Sequence, residues 1–341
     1  MKYQHSGLYH FCWHLGNSLA KEIDIAKEAL HFYVPPFAKG IFGTNVFYEK
    51  QHDLHKLLYP KTSYFNVWHC VYQNSDYFPS NKKIKKVLTI HDLNFIYDCN
   101  KNDTRKKKYL NDLQKKVNNS HHITTISQFV LDDVKQYINL NDKPTSVIYN
   151  GCNITKSSNL QAPNYQPQHP FLFTIGTVID KKNFHVLPCL LADNNMYLII
   201  SGIIKSDTYK QKIIAEATKY NVADRVIFTG PISENDKQWY YQNCEAFVFP
   251  SLAEGFGLPV IEAMYFGKPA ILSTHTSLPE IGGEAAYYFN SFSPEDMVQT
   301  LVKSLHHYQT TNPSNAIKQR AALFSWQTAA QQYLAVYRSL Y

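Results

Sequence analysis

Short apolar segments alternate with amphipathic segments along most of the chain. In the second half the apolar segments are rich in β-branched and aromatic residues, and they lie at 171–179, 196–204, 225–230, 245–251, 269–274 and 286–289. Strands that are buried on both faces have this composition. Their alternation with helical segments predicts βαβ units around a parallel sheet.

The first half carries a sparser version of the same pattern. Candidate strands lie at 64–69, 86–91, 122–126 and 145–149, and candidate helices at 16–30, 105–118 and 128–139. A polar, proline-containing segment, SSNLQAPNYQPQHP (157–170), separates the halves and is the best candidate linker. We therefore predict an α/β protein with two doubly wound, Rossmann-like domains, and a ligand at the carboxyl ends of the strands in a cleft between them.

Composition and charge narrow the class of protein. The 341 residues include 44% hydrophobic residues, enough for two buried cores. Six cysteines without a CxxC pair favour a reducing compartment over a disulfide framework or a zinc site. The first residues lack the apolar segment of a signal peptide, and no apolar run reaches membrane-spanning length. The expected location is the cytoplasm.

Two lysine clusters account for much of the net charge of +7. They are NKKIKK (81–86) and KNDTRKKK (101–108). A solvated surface is the simplest interpretation, and peripheral contact with an anionic membrane face or acceptor is the alternative. No nucleic-acid-binding motif accompanies the clusters, so we do not expect a nucleic-acid partner.

The segment LAEGFGLPVIEAM (252–264) holds the most informative chemistry. It follows a predicted buried strand and opens a predicted helix, in which Pro259 suits the first turn. Gly255 and Gly257 allow the backbone to approach a ligand, and the helix amides could bind a diphosphate. Glu254 and Glu262 could each accept hydrogen bonds from hydroxyl groups, as a nucleotide-sugar would offer. Acidic residues are also common at helix starts for electrostatic reasons alone, so this spacing by itself leaves both interpretations open.

Several segments together resemble the retaining family 4 glycosyltransferases, which have the GT-B fold. EGFGLPVIEAM is similar to the E-x7-E signature of that family, and KVLTIHDLNFIYD to its HDL segment. ITTISQFVLDDV, VIYNGCNI, FTIGTVIDKKN and FTGPISENDKQWYYQNCEAFVFPS resemble further family segments in the family's order. FSWQTAAQQYLAVY resembles the closing helix. The implied domains are an acceptor-binding domain (1–160), a nucleotide-sugar-binding domain (161–322) and a helix (323–341) that returns to the first domain.

The resemblance implies a role for each matching residue. Glu254 would contact the donor sugar and Glu262 the ribose, while Lys182 would neutralise the diphosphate, with Lys181 as the rival if the register differs by one. His91 would support the transferred sugar, and Asp92 would be a turn carboxylate that fixes His91. The remaining predicted contacts to the donor come from two loops and a helix start: Thr177, Gly255, Phe256, Gly257 and Leu258. Gly7 is also a predicted substrate-binding residue, since it lies in a segment that resembles the glycine loop and first helix, which shape the acceptor side in the family.

The implied reaction retains the anomeric configuration by front-face attack and needs no protein nucleophile. No D-x-D motif occurs in the chain, so we expect no metal and no cofactor; the nucleotide-diphosphate sugar is a co-substrate. The HDL segment favours transfer of mannose from GDP-mannose to a glycan or lipid-linked glycan in surface polysaccharide or lipopolysaccharide synthesis. A UDP-hexose donor, a nucleotide-sugar epimerase, a phosphorylase and a non-catalytic glycan-binding subunit are the alternatives.

The sequence departs from the family pattern at two places. Thr177 follows Gly176 where the family often has arginine, which removes a second expected phosphate cation. The helix-forming segment that includes Gly7 should follow a strand, but only MKYQ precedes the glycine loop. We therefore expect either a first domain without its usual first strand or a natural start upstream.

Overall fold

The computed structural model describes residues 7–56, 62–97, 101–155 and 160–341. The chain forms two compact units, one built from residues 1–153 and 324–341 and the other from residues 154–323. The described strands are His31–Val34 (β1), Phe47–Lys50 (β2), Val67–Cys70 (β3), Lys85–Ile90 (β4), His122–Thr125 (β5), Thr145–Val147 (β6), Phe171–Ile175 (β7), Tyr197–Ser201 (β8), Val226–Gly230 (β9), Ala246–Phe249 (β10), Ala270–Ser273 (β11) and Tyr287–Phe289 (β12).

The helices alternate with these strands over most of the chain, as the sequence pattern predicts. They are Gly7–Glu22 (α1), Asp103–Asn118 (α2), Gln128–Tyr137 (α3), Asp207–Lys219 (α4), Glu234–Asn243 (α5), Leu258–Tyr265 (α6), Leu278–Gly282 (α7), Pro294–Thr311 (α8), Ser314–Ala322 (α9) and Trp326–Arg338 (α10). Short 3₁₀ turns, among them Asp180–Lys182, lie between some of these elements.

The first unit contains two parallel sheets among its described residues. β3, β4, β5 and β6 form one sheet in that spatial order, and β1 pairs with β2 in the other. The sequence pattern did not predict β1 and β2, because four-residue strands without a fully buried face carry little periodic signal. The expected strand before the glycine loop falls on residues that lie outside the described part of the chain.

The predicted helix at 16–30 is wrong in its bounds, because α1 spans Gly7–Glu22. The amides of Lys27 and Glu28 bond to the carbonyl of Asp24, and the Asp24 carboxylate accepts a hydrogen bond from Ala26 N. This local turn offers the backbone an alternative to further helix, which is a common behaviour of aspartate.

A buried hydrogen-bond network joins α10 to the sheet of the first unit. His69 of β3 lies 2.6 Å from Tyr337 Oη through Nδ1 and 2.6 Å from Thr89 Oγ1 through Nε2. Thr89 continues the network to Thr124 at 2.7 Å and to Tyr333 at 3.1 Å. Burial lowers the pKa of His69 to about 3, so its imidazole is neutral at physiological pH.

The second unit is a doubly wound parallel sheet with the strand order β12-β11-β10-β7-β8-β9. The chain runs outward from β7 through β8 and β9, and then returns to the other side of β7 at β10. β7 and β10 therefore flank the point at which the strand order reverses. In open α/β sheets a ligand site forms beyond the carboxyl ends of the strands at such a point.

Candidate active site

The loop after β7 lies at this reversal point and depends on two glycines. Gly176 has a φ of +155° and donates its N–H to Ser201 O. A side chain at Gly202, the residue after β8, would place its Cβ 2.1 Å from Gly176 O. Only glycine fits there, because two strand ends approach each other backbone to backbone. Thr177 follows Gly176 and is half-buried.

Lys182 and Glu254 form an ion pair at the carboxyl ends of β7 and β10. Lys182 Nζ contacts Glu254 Oε1, and the two side chains are only 12% and 14% exposed. Ser251 Oγ donates to the same carboxylate oxygen at 2.6 Å. The structure thus brings together the residues predicted to contact the donor phosphate and the donor sugar, although the loops that carry them are far apart in the sequence.

The charge of Glu254 is stabilised by its surroundings. Burial by itself would raise the pKa of its carboxyl, but the ammonium groups of Lys182 and Lys181 and hydrogen bonds from Lys182 and Ser251 outweigh burial and lower the pKa below its ordinary value. Glu254 is therefore a carboxylate at neutral pH. Lys181 lies in the same loop, and its carbonyl accepts a hydrogen bond from Leu252 N at 2.9 Å. Its side chain stays the rival for the phosphate role.

Two residues after β11 hold the Glu254 loop in place. Thr276 Oγ1 accepts a hydrogen bond from Glu254 N at 3.0 Å. The buried Ser277 Oγ lies 3.1 Å from Glu254 O and 3.0 Å from Phe256 O. The sequence pattern did not single out Ser251, Thr276 or Ser277, because serine and threonine in loops carry no signal of which backbone groups they will meet.

The start of α6 has the geometry expected for a helix that faces a ligand. Gly257 precedes the helix with a φ of +103°, and a Cβ there would approach Leu278 Cδ2 to 2.9 Å. Gly255 and Phe256 are buried, whereas Leu258 is half-buried. The amino end of a helix carries partial positive charge, so this end of α6 can attract an anion. Pro259 offers no N–H there, and Val260 N donates to Gly257 O at 2.9 Å.

Glu262 lies inside α6 and faces two residues of α5. Its Oε1 is 3.2 Å from Lys237 Nζ, and its Oε2 is 3.1 Å from Tyr241 Oη. Lys237 also pairs with Glu234 at 2.8 Å. Neither Lys237 nor Tyr241 was predicted from the sequence, since an α-helical lysine in a polar segment ordinarily indicates an exposed face.

His91 follows β4 in the first unit and is held by hydrogen bonds on two sides. Its Nε2 lies 2.8 Å from Val71 O, and its backbone N donates to Gln73 Oε1 at 3.0 Å. Burial lowers the pKa of His91, although the Val71 carbonyl and Asp92 oppose that effect. The imidazole is therefore neutral, with its proton on Nε2 and an acceptor at Nδ1.

Asp92 lies in a turn, and Gly7 begins a helix. Asp92 Oδ1 accepts a hydrogen bond from Asn94 N at 3.0 Å, as a turn carboxylate does. Gly7 is the first residue of α1, and a Cβ there would meet no atom of the described residues within 4 Å. The packing around Gly7 therefore does not require glycine, and its role toward a substrate stays a prediction.

The lysine clusters are mostly solvated. Lys82, Lys83, Lys85, Lys107 and Lys108 are exposed. Lys86 differs, because it is buried and its Nζ donates to Asn81 O at 3.0 Å.

The described residues contain neither a candidate membrane span nor a candidate metal cluster. No helix in this part of the chain is both long and apolar enough to cross a membrane. Within the same ranges, no cluster of three or more histidine, cysteine, aspartate or glutamate side chains could hold a metal ion.

Comparison with known families covers most of both units. Residues 156–322 match the family described as glycosyl transferases group 1, and residues 58–156 match glycosyltransferase family 4. The chain belongs to the family 4 glycosyltransferases. This membership confirms the resemblance seen in the E-x7-E and HDL segments.

Curated relatives of this family 4 chain include mannosyltransferases. The serotype-specific mannosyltransferase WbdA of Escherichia coli is 31% identical over 174 residues, which cover 49% of this chain and 21% of WbdA. The O-antigen chain mannosyltransferase RfbU of Salmonella typhimurium is 28% identical over 224 residues, 64% of this chain and 60% of RfbU. The chain therefore spans about a fifth of the length of WbdA and three fifths of RfbU.

Solved structures of glycosyltransferases share the fold across nearly the whole chain. A glycosyltransferase from Rickettsia africae aligns over 97% of this chain and 95% of its own, with a TM-score of 0.71 and 14% identity. Anabaena HepE, solved with UDP and glucose, aligns over 98% and 96% with a TM-score of 0.70 and 16% identity. These neighbours confirm the predicted GT-B fold.

Proposed function

We propose that this chain transfers a hexose from a nucleotide-diphosphate sugar to a glycan or lipid-linked glycan acceptor, with mannose from GDP-mannose as the favoured donor. The observation that carries the proposal is the Lys182–Glu254 ion pair, which lies where the strand order of the second unit reverses. Its surroundings supply an ammonium, a carboxylate and the amino end of α6. A sugar diphosphate needs these three groups.

The charges of the pair match the two ends of the bond that breaks. Departure of the diphosphate leaves negative charge on its oxygens, which the Lys182 ammonium and the α6 amides would stabilise. The sugar carbon develops positive charge, which the Glu254 carboxylate would stabilise from its hydroxyl-binding position. In this mechanism the leaving phosphate oxygen takes the proton of the acceptor hydroxyl, so the configuration is retained without a protein nucleophile and without a metal.

Donor binding requires Lys182 to change partners. The Lys182 ammonium pairs with Glu254, and a diphosphate would bring at least two negative charges toward the same ammonium. Ser251 also donates a hydrogen bond to Glu254, which would keep the carboxylate oriented when Lys182 turns to the phosphate. Glu254 then becomes available to the hydroxyls of the sugar.

The relatives support a polysaccharide context for the acceptor. RfbU carries the description O-antigen chain mannosyltransferase, which favours mannose and a growing surface glycan for this chain as well. We assign acceptor binding to the first unit, with His91 near the transferred sugar, and a peripheral position on the inner membrane face through the exposed lysines. A UDP-hexose donor is the second candidate, since HepE was solved with UDP and glucose.

Binding calorimetry with GDP, UDP and ADP, followed by the matching nucleotide sugars, tests this proposal. We expect GDP to bind best, and we expect Lys182→Met to weaken GDP binding by about tenfold or more because it removes the charge opposite the diphosphate. Lys219→Met is the matched control, since Lys219 forms an exposed ion pair with Glu216 on α4.

The products of turnover separate the remaining alternatives. A transferase gives a glycosylated acceptor and the nucleoside diphosphate, whereas an epimerase gives an altered sugar without an acceptor. Absence of binding to all three nucleotides would contradict the proposal and favour a glycan-binding subunit.

A further inference from the structure

We propose that Lys237 and Tyr241 are positioning residues that orient the Glu262 carboxylate for the ribose of the donor nucleotide. The inference rests on the proposed function, because it specifies how one part of the donor site is built. The family signature itself contains neither residue. The evidence is the arrangement of three side chains on two helices of the second unit.

One face of α5 supplies a partner to each oxygen of Glu262. Lys237 and Tyr241 are four residues apart on α5, so their side chains lie on the same face of that helix. Lys237 Nζ lies 3.2 Å from Oε1, and Tyr241 Oη lies 3.1 Å from Oε2. Two donors at opposite oxygens fix both the position and the rotation of a carboxylate plane, which one donor alone cannot do.

The pair is buried, unlike an ordinary surface ion pair. The side chains of Lys237 and Glu262 are 8% and 5% exposed, and Tyr241 is fully buried. Exposed lysines often have many orientations, but a buried ammonium with two carboxylate partners has few. Burial alone would lower the pKa of Lys237, yet Glu262 and Glu234 outweigh burial and raise it, so the ammonium stays charged beside Glu262.

Glu234 completes the arrangement from the solvent side. Its carboxylate pairs with Lys237 at 2.8 Å and is 60% exposed, so it holds the ammonium from the outer end of α5. Ser233 caps this helix by accepting a hydrogen bond from Asp236 N at 3.1 Å. The first turn of α5 is thereby fixed, and with it the direction from which Lys237 reaches Glu262.

The chemistry of a vicinal diol explains why orientation matters. A carboxylate can accept about four hydrogen bonds in its plane, and a diol is bound best when both oxygens face both hydroxyls. If the plane turns, one of the two hydroxyl contacts is lost.

The test compares ribonucleotides with their 2′-deoxy forms by calorimetry. In the wild-type protein we expect 2′-deoxy-GDP to bind about tenfold more weakly than GDP, because a charge-assisted hydrogen bond is lost. In Lys237→Met and Tyr241→Phe the ratio of the 2′-deoxy-GDP dissociation constant to that of GDP should fall to about threefold or less. Glu262 would then no longer bind the 2′-hydroxyl of the ribose well. Lys237→Arg, which keeps the charge and the donors, should restore most of the ratio. UDP and 2′-deoxy-UDP replace this pair of probes if UDP binds better.

The ratio separates positioning from general stability. Loss of folding weakens the binding of both nucleotides equally, whereas loss of the Glu262 orientation changes the ratio of their dissociation constants. Lys219→Met breaks the exposed ion pair with Glu216 on α4, which has the same three-residue spacing as Lys237 and Glu234. It should leave the ratio at its wild-type value. If Lys237→Met fails to fold, Tyr241→Phe still tests the proposal because it removes only one hydroxyl.

The outcomes distinguish this inference from the proposed function. A wild-type tenfold ratio that persists in folded Lys237→Met, or in Tyr241→Phe alone, would overturn the positioning role while leaving the transferase proposal intact. Absence of GDP and UDP binding to the wild-type protein would overturn both.

Discussion

The ammonium of Lys182 contacts the carboxylate of Glu254, although 72 positions separate these residues in the sequence. Their meeting follows from the strand order, because the loops that follow β7 and β10 leave neighbouring strands at the reversal point. The pair has opposite charges and little exposure, and the Lys182 ammonium helps to lower the pKa of the Glu254 carboxyl.

Replacement of Glu254 should separate donor binding from transfer. In Glu254→Gln the side chain keeps its shape but no longer holds Lys182 by charge, so we expect free GDP to bind about threefold to tenfold more tightly. Transfer should fall by about 10²–10³ because the developing positive charge loses its carboxylate. Calorimetry and single-turnover assays measure the two effects, with the exposed Glu245→Gln as control. Near-normal turnover in Glu254→Gln would contradict the site assignment.

Removal of the Ser277 hydroxyl should loosen the Glu254 loop. Ser277→Ala removes the hydroxyl that donates hydrogen bonds to the carbonyls of Glu254 and Phe256. We expect the free energy of unfolding to decrease by about 1–3 kcal/mol. Transfer should decrease more than GDP binding, since the misplaced group is Glu254. Chemical denaturation measures the stability, and the exposed Ser291→Ala is the control. Equal stability of the two variants would show that the hydroxyl does not hold the loop.

Glycine is required more strictly at Gly202 than at Gly230. Both have positive φ angles, of +128° and +70°, but only at Gly202 would a Cβ collide with backbone. We expect Gly202→Ala to cost more than about 3 kcal/mol, because strain and collision add, and Gly230→Ala to cost about 1–2 kcal/mol from strain alone. Thermal and chemical unfolding of the two variants provides the comparison. A smaller loss for Gly202→Ala than for Gly230→Ala would contradict the close backbone approach.

The neutral, buried His69 should make the first unit sensitive to acid. Its folded pKa of about 3 lies below the ordinary value of 6.5, so the unfolded chain binds the proton first as pH falls. The contribution of His69 to the free energy of unfolding is fully present above pH 6.5. It decreases toward pH 3 by about 1.4 kcal/mol per pH unit. His69→Gln should lack this component, so between pH 6.5 and 5 the wild-type protein should lose about 2 kcal/mol more than the variant.

Tryptophan fluorescence can follow this difference, since three of the four tryptophans, Trp13, Trp68 and Trp326, lie in the first unit. The exposed His306→Gln should keep the wild-type pH dependence. Parallel pH profiles for wild-type protein and His69→Gln would show that His69 does not carry the proton linkage.

The parallel sheets were predictable because fully buried strands leave a continuous apolar run. Phe171–Ile175 and Ala246–Phe249 are almost entirely buried, and their sequences contain no competing helical period. β1 and β2 were missed because short, half-buried strands lack this signal. Asp24 ended the first helix through a local turn that hydrophobic periodicity does not register.

The candidate site was predictable only where one segment carries several of its parts. Glu254, Gly257 and Glu262 lie in one motif whose spacing indicates a loop followed by a helix. Lys237 and Ser277 reach the same motif from other elements, and their contacts depend on the packing of α5 and α7 against α6. No local pattern encodes such packing, so these residues became visible only in three dimensions.

The position of α10 has a consequence for synthesis of the chain. Tyr333 and Tyr337 enter the buried network of β3 and β4, yet they are made after the whole second unit. Residues 154–323 form a continuous stretch that can become compact before the ribosome has added α10. Synthesis of the first unit begins earlier, but part of its core stays exposed until α10 has been made. During translation the second unit can therefore be completed before the first, although the first is begun earlier. Chaperones would protect the sheet of the first unit until α10 has packed against it.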